Sequence, residues 1–335
     1  MLLVIVGHGS IGSKYKDELL KKGFSTESVI IIDSNISVLK KLRQEGYVCF
    51  ESIKEIHNSF NKIDYGIIAN WGPDHISSAI ELCNMGCKRF IIEKPVSSNL
   101  DEIINFEKEI KEKSLFATVH HHWKYIGLEN LIREAQSEHE LLPPIGVRLI
   151  GGALGLSTNG IHWLDFAQEI LESPLKTILA DLDIDYINPR DDSLAFIGGM
   201  CSFRMQNNSF IHVSFSNQNS QSSRAEIIYR HGIIDICIRG QEGKLKIYKR
   251  KREDLEKFGH QITRHGSFDL ISENSFINKS TVSDVIDDLL NSKLPKVSVH
   301  RAKIPLKMII GAIQSSVQNK KISWDQIEDQ KIRIS

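Results

Sequence analysis

The sequence has no excess of charge of either sign: Lys plus Arg number 42 and Asp plus Glu number 42. That balance removes the electrostatic case for nucleic acid or an anionic membrane as a partner. No apolar run approaches the roughly 18 residues needed to span a bilayer. Cysteines are few, odd in number and scattered, at Cys49, Cys83, Cys87, Cys201 and Cys237. They do not make a disulfide framework, and they read as the reduced structural thiols of a cytoplasmic protein. Cys83 and Cys87 would share a helix face, but two thiols without further ligands make a poor zinc site. There is no internal repeat and no long linker. The opening run, Met1–Val6, carries no basic residue and meets Gly7 too early to read as a signal peptide. What is present is ordinary for a soluble globular protein, 41% hydrophobic and 25% charged residues over a length of 335 that suggests two domains.

The first 120 residues alternate short apolar runs with amphipathic stretches. Strands are expected at Leu2–Val6, Val29–Ile32, Tyr65–Ala69, Arg89–Ile92 and Leu115–Val119. Helices are expected at Ile11–Lys22, Ser37–Glu45, from Pro73 to Gly86, and at Leu100–Lys113. Continuous apolar strands between amphipathic helices imply a parallel sheet covered on both faces, doubly wound by right-handed crossovers. Beyond residue 120 the pattern changes. A helix is expected over Trp123–Gln136 and another over Ile161–Leu171. Alternating segments follow at Thr177–Ile187, Ser193–Met205, Ser209–Phe215, Ala225–Tyr229 and Ile233–Ile238, the pattern of antiparallel strands with one solvated face. Ser216–Ser223 reads as a loop or strand edge, and Val282–Leu290 and Ile304–Val317 as helices. The expected fold class is α/β: a doubly wound parallel sheet over 1–120, then an α+β domain with an open, mostly antiparallel sheet over 121–335.

Gly7-His8-Gly9-Ser10-Ile11-Gly12 follows the first strand and opens the first helix. The first glycine permits a tight turn, the second lets the backbone approach a pyrophosphate, and the third lets the helix pack against the strand. The helix amino terminus then offers N–H groups and partial positive charge to phosphate. Asp33 closes the second strand, where a carboxylate accepts the ribose hydroxyls of adenosine and repels a 2′-phosphate. No arginine follows it, so NAD is favoured over NADP. Asn70-Trp71-Gly72-Pro73-Asp74-His75 ends a later strand on the same sheet edge. Asn70 and Trp71 are candidates to line the nicotinamide side, and His75 either contacts the cofactor or satisfies local backbone groups. Glu93-Lys94-Pro95 ends the next strand, which places Lys94 where ligands gather in an open α/β sheet. The Lys94–Pro95 bond can be cis or trans. His162 and Asp165 share a helix face, and a carboxylate there can orient an imidazole. His120-His121-His122 looks like a metal motif, but consecutive strand residues alternate faces, and no metal is expected.

These pieces, in this order, resemble the glucose–fructose oxidoreductase / inositol dehydrogenase / rhizopine-catabolism (Gfo/Idh/MocA) family of nicotinamide-dependent oxidoreductases. The resemblance rests on Gly7–Gly12, Asp33, Asn70–His75, Glu93-Lys94-Pro95 and Gly160-Ile161-His162-Trp163-Leu164-Asp165, with a weaker match at Arg230–Ile234. It implies a Rossmann domain and a second domain whose open sheet often mediates homo-oligomers, dimers or tetramers. It also implies hydride transfer between a nicotinamide and a secondary alcohol or ketone of a sugar, nucleotide sugar or inositol-like substrate. Lys94 and His162 correspond to the family's catalytic lysine and histidine. Where the family usually has Thr-Pro, this chain has Asn70-Trp71. Its usual aspartate before the histidine is Thr158 here, and its frequent arginine is replaced by Lys124-Tyr125. Lys124, Tyr125, Thr158, Asn159 and Asp165 are the candidate substrate contacts. Two rivals stand beside this: a dinucleotide-binding regulator without turnover, and an oxidase that keeps its NAD bound and recycles it.

Overall fold

A computed structural model describes residues 1–56, 59–60, 62–183, 187–188, 191–259 and 268–329. They fall into two units. The first is Met1–Tyr125 with Ser280–Lys307 and Asp329–Ser335; the second is Ile126–Lys279 with Met308–Glu328. The sequence pattern draws one break near residue 120. It gives no sign that a segment some 160 residues later returns to the first unit.

The first unit is built on β1 (Leu3–Val6), α1 (Ser10–Lys21), β2 (Val29–Ile32), α2 (Ile36–Gln44), β3 (Val48–Phe50), α3 (Ile53–Ile56), β4 (Tyr65–Ile68), α4 (His75–Asn84), β5 (Arg89–Ile92), α5 (Leu100–Glu112), β6 (Phe116–Val119) and α6 (His122–Ile126). The six strands are parallel, in the order β3-β2-β1-β4-β5-β6. Every residue of β1, β2 and β6 is buried, as strands covered on both faces must be. Asn35 caps α2 by accepting from the Ser37 N–H at 3.1 Å, and Asn99 caps α5 by accepting from Glu102 N–H at 3.0 Å. The strand order reverses between β1 and β4, the switch point at which such sheets open a crevice at their carboxyl edge.

The second unit comprises α7 (Leu128–Glu138), β7 (Gly146–Gly151), a π-helical turn (Gly155–Gly160), α8 (Ile161–Leu171), β8 (Leu175–Asp183), the pair β9 (Ile187–Asn188) and β10 (Asp191–Ala195), then β11 (Gly198–Met205), β12 (Phe210–Phe215), β13 (Arg224–Ile228), β14 (Gly232–Arg239), β15 (Glu242–Arg250), α9 (Arg252–Phe258), β16 (Phe268–Ile277) and β17 (Ile322–Ser323). Nine strands form one sheet, β16-β15-β14-β13-β7-β12-β11-β8-β17, antiparallel except for β7 beside β12. Alternate residues of β12 and β14 are buried, so one face of the sheet carries the core and the other is open. The chain closes with α10 (Val282–Asn291) and α11 (Val299–Gln318), α10 packing beside α1, β5 and β6.

Several elements depart from expectation. The helix expected over Trp123–Gln136 is broken at Gly127, whose φ of +79° ends α6 and starts α7. The strand expected over Thr177–Ile187 runs Leu175–Asp183, and 184–186 lie outside the described residues. The stretch Ser193–Met205 is shared by β10 and β11. β15 and β16 were not anticipated, although Lys244-Leu245-Lys246-Ile247 alternates polar and apolar residues as a half-buried strand does.

Candidate active site

The carboxyl edge of the first sheet is an ordered row. Its ladder continues past the strands: Gly7 N–H donates to Ile32 O at 2.7 Å, Ala69 N–H to Val6 O at 2.8 Å, Glu93 N–H to Ile68 O at 2.9 Å and His120 N–H to Ile92 O at 3.1 Å. Asp33, Gly7, Asn70, Lys94 and His121 therefore leave the sheet side by side. At about 4.8 Å per strand, Lys94 emerges about 10 Å along the edge from the Gly7 turn.

Gly7 has φ +90°, and a Cβ there would lie 2.5 Å from the backbone N and Cα of Asn70. A Cβ on Gly12 would strike the Gly7 carbonyl oxygen, whereas above Gly9 there is open space. Ser10 and Ile11 continue into α1, whose amino terminus has no side-chain cap and no acidic residue in its first turn. The turn thus offers an uncovered helix terminus and a backbone that a pyrophosphate can approach. Asp33 is fixed by two backbone donors, His8 N–H to Oδ2 at 2.6 Å and Asn35 N–H to Oδ1 at 2.8 Å. Its carboxylate keeps further lone pairs for ribose hydroxyls. These residues fit a dinucleotide.

Along the same edge, the Asn70 side chain donates to Ser78 Oγ at 3.0 Å, and Trp71 is 45% exposed. His75 is fully buried. Its Nδ1 lies 2.8 Å from Pro95 O and its Nε2 3.1 Å from Asn70 O. Burial lowers its pKa against the pull of both carbonyls. The imidazole ties the β4 end to the β5 end, so it shapes the edge from inside.

Lys94 is half-buried, and the Lys94–Pro95 peptide is cis. Glu93, beside it, is 6% exposed and accepts from Tyr15 Oη at 2.6 Å and from His120 Nδ1 at 2.8 Å. Burial alone would raise its pKa; the His120 charge and hydrogen bond, the Tyr15 hydroxyl and the Lys94 charge outweigh that and hold it down to about 2. Burial and the neighbouring Glu93 charge push the Tyr15 phenol well up. His120 Nε2 lies 2.8 Å from Thr281 Oγ1, and His122 Nδ1 lies 3.1 Å from the same oxygen. His120 and His122 thus share one partner across the intervening His121.

Lys124 is half-buried on α6. Tyr125 is buried, with its hydroxyl 2.7 Å from Thr118 Oγ1 and donating to Asp288 Oδ2 at 2.9 Å. Burial raises its pKa strongly, helped by the Asp288 charge. That phenol braces α6 to α10. In the second unit, Thr158 is buried in the π-helical turn and donates to Leu154 O at 2.6 Å, which the Asn159 side chain also reaches at 2.8 Å. His162 is half-buried in the first turn of α8, and Asp165, three residues on, is 3% exposed.

The network of Tyr15, His120 and Thr281 behind Glu93 was not seen in the sequence. The histidine run was weighed as a metal motif and as a partly polar strand end, not as part of a hydrogen-bonded network. Thr281 lies 161 residues from His120, a separation no motif spans.

Residues 1–121 match the family model described as "Oxidoreductase family, NAD-binding Rossmann fold", GFO_IDH_MocA. No curated protein matches the sequence. Solved structures do. A NAD-binding protein from Listeria innocua is 17% identical, with a TM-score of 0.71 over 96% of each chain. UDP-N-acetylglucosamine 3-dehydrogenase GnnA from Acidithiobacillus ferrooxidans is 14% identical, with a TM-score of 0.70 over 95% of this chain and 96% of that one. The WlbA dehydrogenase from Chromobacterium violaceum, in complex with NADH and UDP-GlcNAcA, is 13% identical, with a TM-score of 0.70 over 96% and 95%. At such identities the likeness establishes the shared two-domain fold. Among the described residues no helix is long and apolar enough to cross a membrane.

Proposed function

We propose, from the premise that this chain belongs to the Gfo/Idh/MocA oxidoreductases, whose NAD-binding Rossmann fold its residues 1–121 match, that it is an NAD(H)-dependent dehydrogenase or reductase. Its substrate class would be a secondary alcohol or ketone of a sugar, nucleotide sugar or inositol-like molecule. The observation that carries this is the edge of the first sheet: an uncovered glycine turn and helix terminus, a fixed Asp33 beside it, and Lys94 leaving the same edge two strands away.

Gly7, His8, Gly9, Ser10, Ile11 and Gly12 would hold the pyrophosphate and Asp33 the adenosine ribose. That carboxylate is the reason to favour NAD over NADP. Asn70, the exposed Trp71 ring and Lys94 would bound the nicotinamide half. The bound cofactor supplies hydride exchange at its nicotinamide ring. Lys94 would hydrogen-bond the reacting oxygen and, as an ammonium, favour a developing alkoxide. His162 would take the proton in oxidation and return it in reduction. Asp165 on the next turn would orient it. The substrate class is supported by the family and by what the solved relatives act on or hold, GnnA as a UDP-N-acetylglucosamine 3-dehydrogenase and WlbA with UDP-GlcNAcA.

The test is a panel of sugars, inositols and nucleotide sugars with NAD and NADP, read at 340 nm, on wild type, Lys94→Ala and His162→Ala. Turnover with at least one polyol, and a fall of about 100-fold or more in kcat for both variants, is expected. Full activity in Lys94→Ala overturns the assignment of roles. No turnover across the panel with micromolar NAD binding overturns the enzyme in favour of a dinucleotide-binding regulator.

A further inference from the structure

Five side chains form one hydrogen-bonded chain inside the first unit: Tyr15 from α1, Glu93 from the end of β5, His120 and His122 from the end of β6 and the start of α6, and Thr281 preceding α10. Counting protons constrains it. An ionised Glu93 is acceptor-only, so both groups that reach its Oε1 must donate, and His120 Nδ1 carries its proton. The His120 atom left to titrate is then Nε2, and it faces Thr281 Oγ1 at 2.8 Å. Thr281 has one hydroxyl proton and two imidazole nitrogens within reach, His120 Nε2 and His122 Nδ1. It can donate to one only.

With no excess proton on the two imidazoles, the Nδ1–H tautomer of a neutral His122 donates to Thr281 while Thr281 donates to His120; with one excess proton, two arrangements satisfy the contacts at Thr281. In the first, Thr281 donates to a neutral His120 and accepts from the Nδ1–H of a protonated His122. In the second, Thr281 accepts from a protonated His120 and donates to the bare Nδ1 of a neutral His122. One proton leaves His122 Nδ1 for Thr281 Oγ1 while the Thr281 proton passes to His120 Nε2. No heavy atom needs to move, no bond between heavy atoms changes, and the total charge is conserved. Charging both imidazoles at once would set two N–H donors and two positive charges against one hydroxyl.

We propose that Thr281 is the hinge of a proton relay that passes a single proton between the half-buried His122 and the buried Glu93–His120 pair, and so sets the charge beside Lys94. With His120 neutral, Glu93 presents an uncompensated carboxylate next to Lys94 and favours its ammonium. With His120 protonated, that carboxylate is neutralised at 2.8 Å and its hold on the Lys94 proton weakens. Among the described residues the surrounding titratable groups include Tyr15, Glu93, Lys94 and His75 on the sheet side and, on the other, Tyr125, 5.8 Å from the His120 ring, with its partner Asp288 and with Lys296 Nζ 5.3 Å from the Tyr125 ring. Histidines 120 and 122 and Thr281 are positioning residues, since they act through Glu93. Only the step from Glu93 to catalysis rests on the proposed function of Lys94.

The experiment is nitrogen-15 NMR of histidine-labelled full-length protein across pH, with assignments from His120→Gln and His122→Gln. In wild type the two imidazoles should titrate as a pair, each trace showing two steps. Thr281→Val should collapse each to a single step and move the His122 midpoint. Thr281→Ser, which keeps the hydroxyl, should restore the wild-type pattern. If Thr281→Val does not fold, His122→Gln carries the same test: it must move the His120 midpoint by a comparable amount. Unchanged midpoints in either variant, or a serine variant that behaves like the valine, overturn the relay. The pH profile of turnover should follow the NMR pattern, altered in Thr281→Val and rescued in Thr281→Ser. Paired titrations without any turnover would sink the proposed function and leave the relay standing; turnover with independent titrations would do the reverse.

Discussion

Replacing Glu93 by Gln keeps the shape of the side chain and removes its charge. In the folded chain the carboxyl is held to about 2, against 4.5 for the free group. Because the folded value is the lower one, the ionised carboxylate contributes its full stabilisation above pH 4.5 and loses it as pH falls toward 2. Each pH unit in that window is worth about 1.4 kcal/mol, so the group contributes about 3 kcal/mol at neutral pH. Glu93 is nearly enclosed, so solvent screening takes little from that figure. The assay is urea unfolding of wild type and Glu93→Gln at about pH 7 and about pH 2.5, at constant ionic strength. At neutral pH the variant should lose about 3 kcal/mol, seen as a lower midpoint with an unchanged slope. At the acid end the gap should close to within about 1 kcal/mol, since the wild-type carboxyl is then taking up its proton. A variant as stable as wild type at neutral pH, or one destabilised equally at both, would refute the claim that the buried charge, rather than its packing, stabilises this strand end.

Two further substitutions probe the same unit. Gly7→Ala places a methyl 2.5 Å from the Asn70 backbone at a φ of +90°, which should cost about 2–4 kcal/mol and abolish NAD binding in calorimetry; retained micromolar affinity would count against the turn as the pyrophosphate site. Arg89 donates to Leu289 O and Ser292 O, each at 2.8 Å, and lies over the Phe116 ring. Arg89→Met removes the donors from the last carbonyls of α10, and should lower stability by about 2 kcal/mol and Tm by about 5 °C in a calorimetric scan.

The first sheet was legible because its strands are buried on both faces. Val29–Ile32 and Arg89–Ile92 are near-continuous apolar runs, and glycines or capping residues punctuate the helices between them. β3 escaped because three residues, of which only Cys49 is buried, make no pattern. In the second sheet most alternating strands were found; β15 was missed even though Leu245 and Ile247 alternate with lysines in the pattern of a half-buried strand. The placement of the glycine turn, Asp33 and Lys94 on one sheet edge was legible because each sits at a strand end whose position the topology fixes. The partners of Glu93 were not, because hydrogen bonds between Tyr15, His120 and Thr281 join residues whose separations follow no period. Tyr125 was named a substrate contact because Lys124-Tyr125 stands where the resemblance has an arginine, and no sequence pattern announces the bonds of its hydroxyl to Thr118 and Asp288.

The return of Ser280–Lys307 to the first unit bears on how the chain is made. Thr281 completes the bonds of His120, Asp288 those of Thr118 and Tyr125, and α10 covers β5 and β6. On the ribosome, all six strands of the parallel sheet emerge before any of these. At about 5–20 residues per second, the nascent sheet waits on the order of 10–30 s with its β5–β6 flank bare. That interval is a window for chaperone capture or for pairing with another nascent chain. A fragment cut after residue 121 would keep the whole glycine turn and yet remain in that exposed state permanently.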